Sequence, residues 1–472
     1  MINNSQIRSR FAPSPSGIIH IGNLRSALMS FLCAKENNGS FILRIEDTDQ
    51  TRTQDYFLNI IYTILNIMKI MPDEGPLQGG DCGPYIQSQR KEQYDFYLSL
   101  FIKKDLVYRC FKTQEELEII KNQQIALKLP PRYNRAILSQ EEESLYLIAK
   151  KPFVWRFKVP NDRSIIQDKI KGKITYNLMH FADCPITRDD GSYTFLFANF
   201  VDDVMMNINY VIRGEEHLSN SAIQSSMYDA LNIKKPLFYH LPLICDDKGK
   251  KLSKRNFGFN IQDLLEAGYL PEAILNYIAI IGGNFKPEIM SLEDMINNKI
   301  FSQTKSSGFI TYDSEKLLWI NMKWMQKIEI ELFIDRIKIY KTYNSSFKTE
   351  IPNHKDLIND IKKESKTIKE FFINIDSIMN NQLEIKINNT EKTYILYIKN
   401  ILESINDFFI NYLFIKTKIK EFALIHNIEE KKLYNTLRKI LIQKEEGISI
   451  GVLIKYINRK TIINNINKIQ FL

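Results

Sequence analysis

The chain has 472 residues, of which 44% are hydrophobic and 25% charged; single cores rarely grow that long, so two to four domains are expected. Met1 to Arg10 is too polar for a signal core, no apolar run approaches the roughly 20 residues of a membrane helix, and the five scattered cysteines exclude a disulfide framework, which together predict a cytoplasmic protein with no membrane partner. The formal charge of +9 is uneven: residues 331–472 hold 24 Lys and Arg against 17 Asp and Glu, a net of +7, as phosphate-backbone binding would require or a lysine-rich solvated surface would also give.

Along the chain, Arg8 to Ala12 predicts a short strand, Ser14 to Gly17 a loop, and Leu24, Leu28, Phe31 and Leu32 a helix running from Gly22. Phe41 to Glu46 alternates as a strand does. A second helix follows, with Thr51 and Gln54 as a capping box and Tyr56, Phe57, Ile60, Ile61, Ile64, Leu65 and Met68 along one face. This βαβα order predicts a parallel, doubly wound sheet. Between about 90 and 192 the alternation is interrupted, with a helix at Glu115 to Gln124 and a strand at Val154 to Val159, as an inserted domain would do. A strand at Ile208 to Arg213 resumes the pattern. After residue 330 the breakers are Pro352, Gly447 and Gly451, while Ile361, Ile368, Phe371, Ile375 and Ile378, then Ile398, Ile401, Ile405 and Phe408, recur at helical spacing. The expected class is therefore an α/β Rossmann-like catalytic domain with an inserted α+β domain, followed by all-α C-terminal domains.

Four segments carry candidate chemistry, and each also has a structural reading. Pro13-Ser14-Pro15-Ser16-Gly17-Ile18-Ile19-His20-Ile21-Gly22-Asn23 lies at a strand-to-helix turn, where free N–H groups and the His20 and Asn23 side chains suit phosphate oxygens. Lys251-Leu252-Ser253-Lys254-Arg255 is a glycine-flanked cationic loop able to close over a polyphosphate, or simply a solvated lysine loop. Arg44 to Asp49 places Glu46 at the carboxyl end of a strand, where a carboxylate can hold an ammonium group or cap a helix. Asp202, Asp203 and Arg213-Gly214-Glu215-Glu216-His217 end the later strand; there Arg213 can pair with a substrate carboxylate or with an internal glutamate.

In this order the segments resemble the glutamyl-tRNA synthetases, a family of class I aminoacyl-tRNA synthetases of bacterial type. Arg10 to Gly17, His20 to Asn23, Arg44 to Asp49, Val211 to His217 and Lys251 to Arg255 carry the resemblance, which is specific over about residues 7 to 325. It implies a two-step reaction: glutamate is joined to ATP, used with Mg²⁺, as an adenylate with release of pyrophosphate, and is then transferred to the terminal 2′-hydroxyl of tRNA-Glu. Charging of tRNA-Gln with glutamate is the alternative. By resemblance, Arg10 and Arg213 meet the γ-carboxylate; Ala12, Ser14 and Glu46 meet the ammonium group; Phe195 and Asn199 complete the pocket. His20, Gly22, Asn23, Lys251, Ser253 and Lys254 serve ATP. The implied domains are 1–89 and 193–245 as the two Rossmann halves, 90–192 as an inserted acceptor-stem domain, 246–328 as a stem-contact domain, and 329–472 as a helical anticodon-binding region. A monomer is implied.

Two departures stand out. The family's Pro-Thr-Tyr stretch reads Tyr193-Thr194-Phe195 here, so the tyrosine hydroxyl is missing at Phe195, and Tyr193, two residues away on an assumed strand, is expected to replace it. Some relatives bind zinc through clustered cysteines, whereas Cys110 stands alone, so no structural zinc is expected. The helical third disfavours a truncated relative that glutamylates a modified tRNA base, a glutaminyl enzyme with a β-barrel module, and a small nucleotidyltransferase. A catalytically dead paralogue is disfavoured by the presence of His20, Arg213 and Lys254.

Overall fold

The computed structural model describes residues 6–15, 19–47, 54–128, 138–252, 257–304, 308–344, 350–379, 386–387, 391–405 and 410–471. They divide into two compact units, one of residues 1–261 and 278–312, the other of 262–277 and 313–472.

The first unit is built on β1 (Arg8–Phe11), α1 (Ile21–Lys35), β2 (Ser40–Leu43) and α2 (Gln54–Ile67). Then come α3 (Lys91–Lys103), β3 (Val107–Cys110), α4 (Gln114–Ala126), α5 (Gln140–Ile148), β4 (Val154–Phe157), β5 (Arg163–Asp168), β6 (Gly172–Asn177) and β7 (Cys184–Pro185). The unit continues with α6 (Phe195–Met205), β8 (Tyr210–Gly214), α7 (Leu218–Leu231) and β9 (Leu237–Leu241). Six strands form one sheet in the order β2-β1-β8-β9-β5-β6. All its pairings are parallel except the β5–β6 hairpin. The chain leaves β1 toward β2 on one side and β8 toward β9 on the other, so the winding reverses between β1 and β8. Such a switch point opens a crevice at the carboxyl ends of the strands, which is where ligands bind in open α/β sheets.

Helix α1 closes this crevice from one side because its sequence offers almost no polar face: Leu24, Ala27, Leu28, Leu32 and Cys33 are fully buried. Reciprocal serine bonds stitch it to β1, Ser9 Oγ donating to the Ser30 carbonyl at 2.6 Å and Ser30 Oγ to that of Arg10 at 3.1 Å. The capping box expected at Thr51 lies outside the described residues.

Within 90–192 the structure separates two groups of strands. β3, β4 and β7 make a small antiparallel sheet. The β5–β6 hairpin instead joins the edge of the main sheet, with Asp168 opposite Phe238. Buried aromatic rings join α3, β4 and α6, since Phe101 meets Phe157, Phe197 and Phe200 at 5.5 to 6.0 Å between centroids.

The second unit is helical over Ser314–Lys327, Ile330–Tyr343, Lys355–Glu364, Ile368–Met379, Lys392–Ser404, Tyr412–His426, Glu430–Ile442, Ile450–Tyr456 and Arg459–Asn467. Of the residues expected on a helix face, Ile361, Ile368, Phe371, Ile375, Ile378, Ile398 and Ile401 are buried; Ile405 caps the end of its helix and is only half-buried, and Phe408 lies outside the described residues. The run from Ile361 to Ile378 is split between two helices. Thr367 Oγ1 accepts from Glu370 N at 3.2 Å, and the Glu370 carboxylate accepts from Lys366 N at 2.8 Å, so local side-chain bonds end one helix and start the next. The helix Ser314–Lys327 packs on Lys355–Glu364 in this unit.

Candidate active site

The crevice at the ends of β1 and β8 holds a cavity of about 310 Å³, a size suited to a small polar ligand. It is lined by Arg10, Ala12, Pro13, Ser14, Ile19, His20, Ile21, Gly22 and Asn23, by Glu46, Phe195, Asn199 and Arg213, and by Lys251 and Leu252. Residues far apart in the chain are thus collected at one place, because three strands and the start of α1 end there. Pro15 does not line it, and Ser16, Gly17, Ile18, Ser253, Lys254 and Arg255 lie outside the described residues.

His20 caps α1: its Nδ1 accepts from Gly22 N and Asn23 N at 3.1 and 3.2 Å, while Asn23 Oδ1 accepts from His20 N at 3.3 Å. Nδ1 is therefore unprotonated, and the neutral ring carries its hydrogen on Nε2 as a donor. Its ring stacks on Phe259 at 4.8 Å between centroids. Burial, with the Lys251 charge adding to it, pushes His20 down to about 4. His217 is also pushed down to about 4, by burial and then by Arg213. An unfolded imidazole takes up its proton near pH 6.5, whereas these two resist it until about 4. Stability is therefore present above pH 6.5 and is lost as pH falls from there toward 4. Urea titrations between pH 7 and 4 should show this decline, and His20→Gln should flatten part of it.

Lys251 enters from a tight turn in which Asp246 N donates to the Lys250 carbonyl at 2.7 Å. Gly249 sits there at φ +74°, a conformation glycine adopts without strain. Lys251 Nζ lies 3.4 Å from Glu216 Oε1, an exposed pair that a polyanion can readily displace.

Beneath the cavity lies a buried charge network. Asp203 accepts from Arg10 Nε at 3.0 Å and from Arg44 Nη1 at 2.7 Å; Glu46 pairs with Arg44 at 2.9 Å; Asp202 pairs with Arg90 at 2.6 Å. Burial alone would raise the Asp203 carboxyl, but Arg10 and Arg44 hold it below its ordinary value. Asn199 Nδ2 donates to Glu46 Oε1 at 2.6 Å, and Gln224 Nε2 donates to Asn199 Oδ1 at 2.9 Å. Arg213 donates from Nη2 to Gln224 Oε1 at 2.7 Å, while its Nε and Nη1 have no hydrogen-bond partner. Among the described residues no carboxylate pairs with it. Of the four arginines 10, 44, 90 and 213, the first three are ion-paired with Asp203, Glu46 or Asp202, and Arg213 is the one with no carboxylate in direct contact. Burial, with Arg10 nearby, accordingly pulls its guanidinium down to about 10.

Tyr193 does not replace the hydroxyl missing at Phe195. Thr194 is the N-cap of α6 and Phe195 its first residue, so the strand alternation that would put the two rings on one face does not exist. The Tyr193 hydroxyl donates to Asp95 at 2.5 Å, its ring stacks on Phe197, and it is absent from the cavity lining. Phe195 does line the cavity, its ring 5.9 Å from that of His217. Tyr193→Phe is expected to leave the KM for glutamate unchanged and to cost about 1 kcal/mol of stability, measurable by urea unfolding. Sequence reading also passed over Gln224 and Arg25. Arg25 was the legible one, an arginine on the apolar stripe of α1; its Nη1 donates to the Pro242 carbonyl at 3.0 Å.

A doubly wound sheet with a histidine-capped turn after β1, an inserted block and a cationic turn beside the same cavity defines a class I aminoacyl-tRNA synthetase. The family described as tRNA synthetases class I (E and Q), catalytic domain, matches residues 6–319. The chain belongs to the glutamate–tRNA ligases. It is 36% identical to that of Mycoplasma mycoides subsp. mycoides, over 98% of this chain and 99% of the relative, and 33% identical to that of Finegoldia magna with the same coverage. With that of Clostridium tetani it shares 44% identity over 70% of this chain and 69% of the relative. A crystal structure of a glutamate tRNA ligase from Elizabethkingia meningosepticum, in complex with its amino acid, is similar at a TM-score of 0.82 and 31% identity, over 98% of this chain and 99% of that one. The glutamate–tRNA synthetase of Elizabethkingia anophelis gives a TM-score of 0.83 at 32% identity.

Proposed function

We propose that the cavity at the ends of β1 and β8 binds glutamate with its side-chain carboxylate on Arg213 and Arg10. The reaction of this family is the ATP-dependent attachment of glutamate to tRNA, and the chain performs it as a class I ligase. The observation that supports the assignment is the unmatched charge of Arg213, whose free Nε and Nη1 donors are completed by an incoming carboxylate. Glu46, with Ala12 and Ser14, takes the ammonium group, and Asn199 keeps Glu46 in place. Phe195 forms an apolar wall.

ATP enters as its Mg²⁺ complex, against His20 Nε2, Gly22, Asn23, Lys251, Ser253 and Lys254. A glutamate α-carboxylate oxygen attacks the α-phosphorus, the bond to the bridging oxygen breaks, and pyrophosphate leaves. The terminal 2′-hydroxyl of tRNA then attacks the activated carbonyl, and AMP leaves. No side chain becomes covalently attached; positioning and fixed charge supply the acceleration. Residues 90–192 receive the acceptor stem, 246–328 contact the stem, and the helical 329–472 bind the anticodon arm. The protein acts as a cytoplasmic monomer without structural zinc, Cys110 having no cluster of further ligands around it in sequence.

Labelled glutamate is to be offered with ATP and Mg²⁺ to purified tRNA-Glu and tRNA-Gln separately. Charging of tRNA-Glu alone is expected. Charging of both would make the enzyme non-discriminating, and charging of neither would overturn the proposal.

A further inference from the structure

We propose that Asp168, His240 and Ser221 form a buried positioning relay that fixes the Arg213 guanidinium for the side-chain carboxylate of the substrate. The inference rests on the reading of Arg213 given above. Asp168 ends β5, His240 lies on β9 and Ser221 on α7; His240 and Ser221 are fully buried, and Asp168 nearly so. Asp168 Oδ2 lies 2.6 Å from His240 Nδ1, His240 Nε2 lies 2.7 Å from Ser221 Oγ, and Arg213 Nη2 donates to Ser221 Oγ at 2.5 Å.

The direction of the chain follows from its anchored end. Asp168 accepts from the N–H groups of Ile170 and Lys171 at 2.8 and 2.7 Å and from that of His240 at 2.9 Å, so it is held as a carboxylate by rigid backbone. The hydrogen of a neutral imidazole then sits on Nδ1, and Nε2 accepts the Ser221 hydroxyl. The serine oxygen is left with its lone pairs toward Arg213. The Ser221 hydroxyl has a second acceptor, the His217 carbonyl at 3.1 Å, which would release Nε2 if chosen. Phe238 packs against the middle of the relay and its Arg213 end, its ring stacked on His240 at 5.7 Å and 10° and 5.8 Å from the Arg213 guanidinium.

Aspartate, histidine and serine in this order also describe a nucleophilic triad, but a fully buried serine that does not line the cavity has no substrate to attack. What the relay can do is orient. With Gln224 it occupies Nη2, leaving Nε and Nη1 as the donors for the ligand, and it runs from the hairpin inside the block 90–192 to the specificity residue.

Ser221→Ala and Asp168→Asn in the full-length enzyme test the idea through KM and kcat for glutamate, KM for ATP, and thermal unfolding. Loss of one charge-linked hydrogen bond should raise the glutamate KM about tenfold in each variant. KM for ATP and kcat should stay within about twofold, and the double variant should be no worse than either single one, as expected for members of one chain. An unchanged glutamate KM in folded Ser221→Ala and Asp168→Asn overturns the relay, as does a loss of kcat, ATP affinity and melting temperature together. Arg213→Met, measured in parallel, separates the two levels: if it too leaves the glutamate KM unchanged, the reading of Arg213 fails, and if it alone loses glutamate, only the relay fails.

Discussion

Replacing Arg213 by methionine is expected to lower kcat/KM for glutamate by about 10² to 10⁴, without lowering the melting temperature of the unliganded protein. The size of the loss follows from leaving a substrate carboxylate buried without its cation, which costs about 3 to 5 kcal/mol. The stability expectation has the opposite sign from that of most core substitutions. Arg213 is buried, carries an unmatched charge and leaves two donors unpaired, so the folded state gains little from it before substrate arrives. Methionine of similar length removes that charge and keeps much of the contact with Phe238. Thermal unfolding with and without glutamate checks both halves: the wild-type protein should be stabilised by the amino acid, and the variant should not. A marked fall in melting temperature without ligand would contradict the charge count.

Asp203→Asn should do the reverse and damage the fold more than any surface change. Its carboxylate serves Arg10 and Arg44 together, and removing the charge leaves two buried guanidinium groups sharing Glu46 and Asp202. Breaking a buried pair of this kind costs about 3 to 5 kcal/mol. Urea unfolding should show a lower midpoint with an unchanged slope. Asp335→Asn is the control: that residue pairs with Lys338 three positions on, with side chains 58% and 72% exposed. It should cost less than about 1 kcal/mol, because solvent screens such a pair. Equal losses at the two sites would show that burial of the Asp203 network contributes nothing.

Much of the fold was legible because local chemistry repeats at short range. The apolar stripe on α1, the alternation in β2 and the breaker-poor C-terminal third each mark an element over a few turns or pleats, and βαβα order leaves few sheet topologies. The cavity was legible for a related reason: in such a sheet the strand ends converge, so residues after β1, β2 and β8 meet. What could not be read locally went differently. A strand carrying Tyr193 and Phe195 on one face is what Tyr193-Thr194-Phe195 suggests, but the helix begins at Phe195 and the Tyr193 hydroxyl goes to Asp95. Helical spacing alone does not show that Ile361 and Ile368 belong to two helices, although Thr367 three positions before Glu370 is a helix-start pattern, and in the structure Glu370 N donates to Thr367 Oγ1 while the Glu370 carboxylate accepts from Lys366 N.

The sequence by itself determined the class of fold, the order of its parts and the residue types available to the site, since these follow from periodicity, turn chemistry and short motifs. Only the tertiary structure decided which of those residues are free to act. Arg10, Arg44 and Arg213 look alike in the sequence; Asp203 meets Arg10 across 193 positions and Arg44 across 159, and Arg213 is left unmatched. Charge balance in a buried site is a sum over groups the chain brings together from afar, and no local pattern carries that sum.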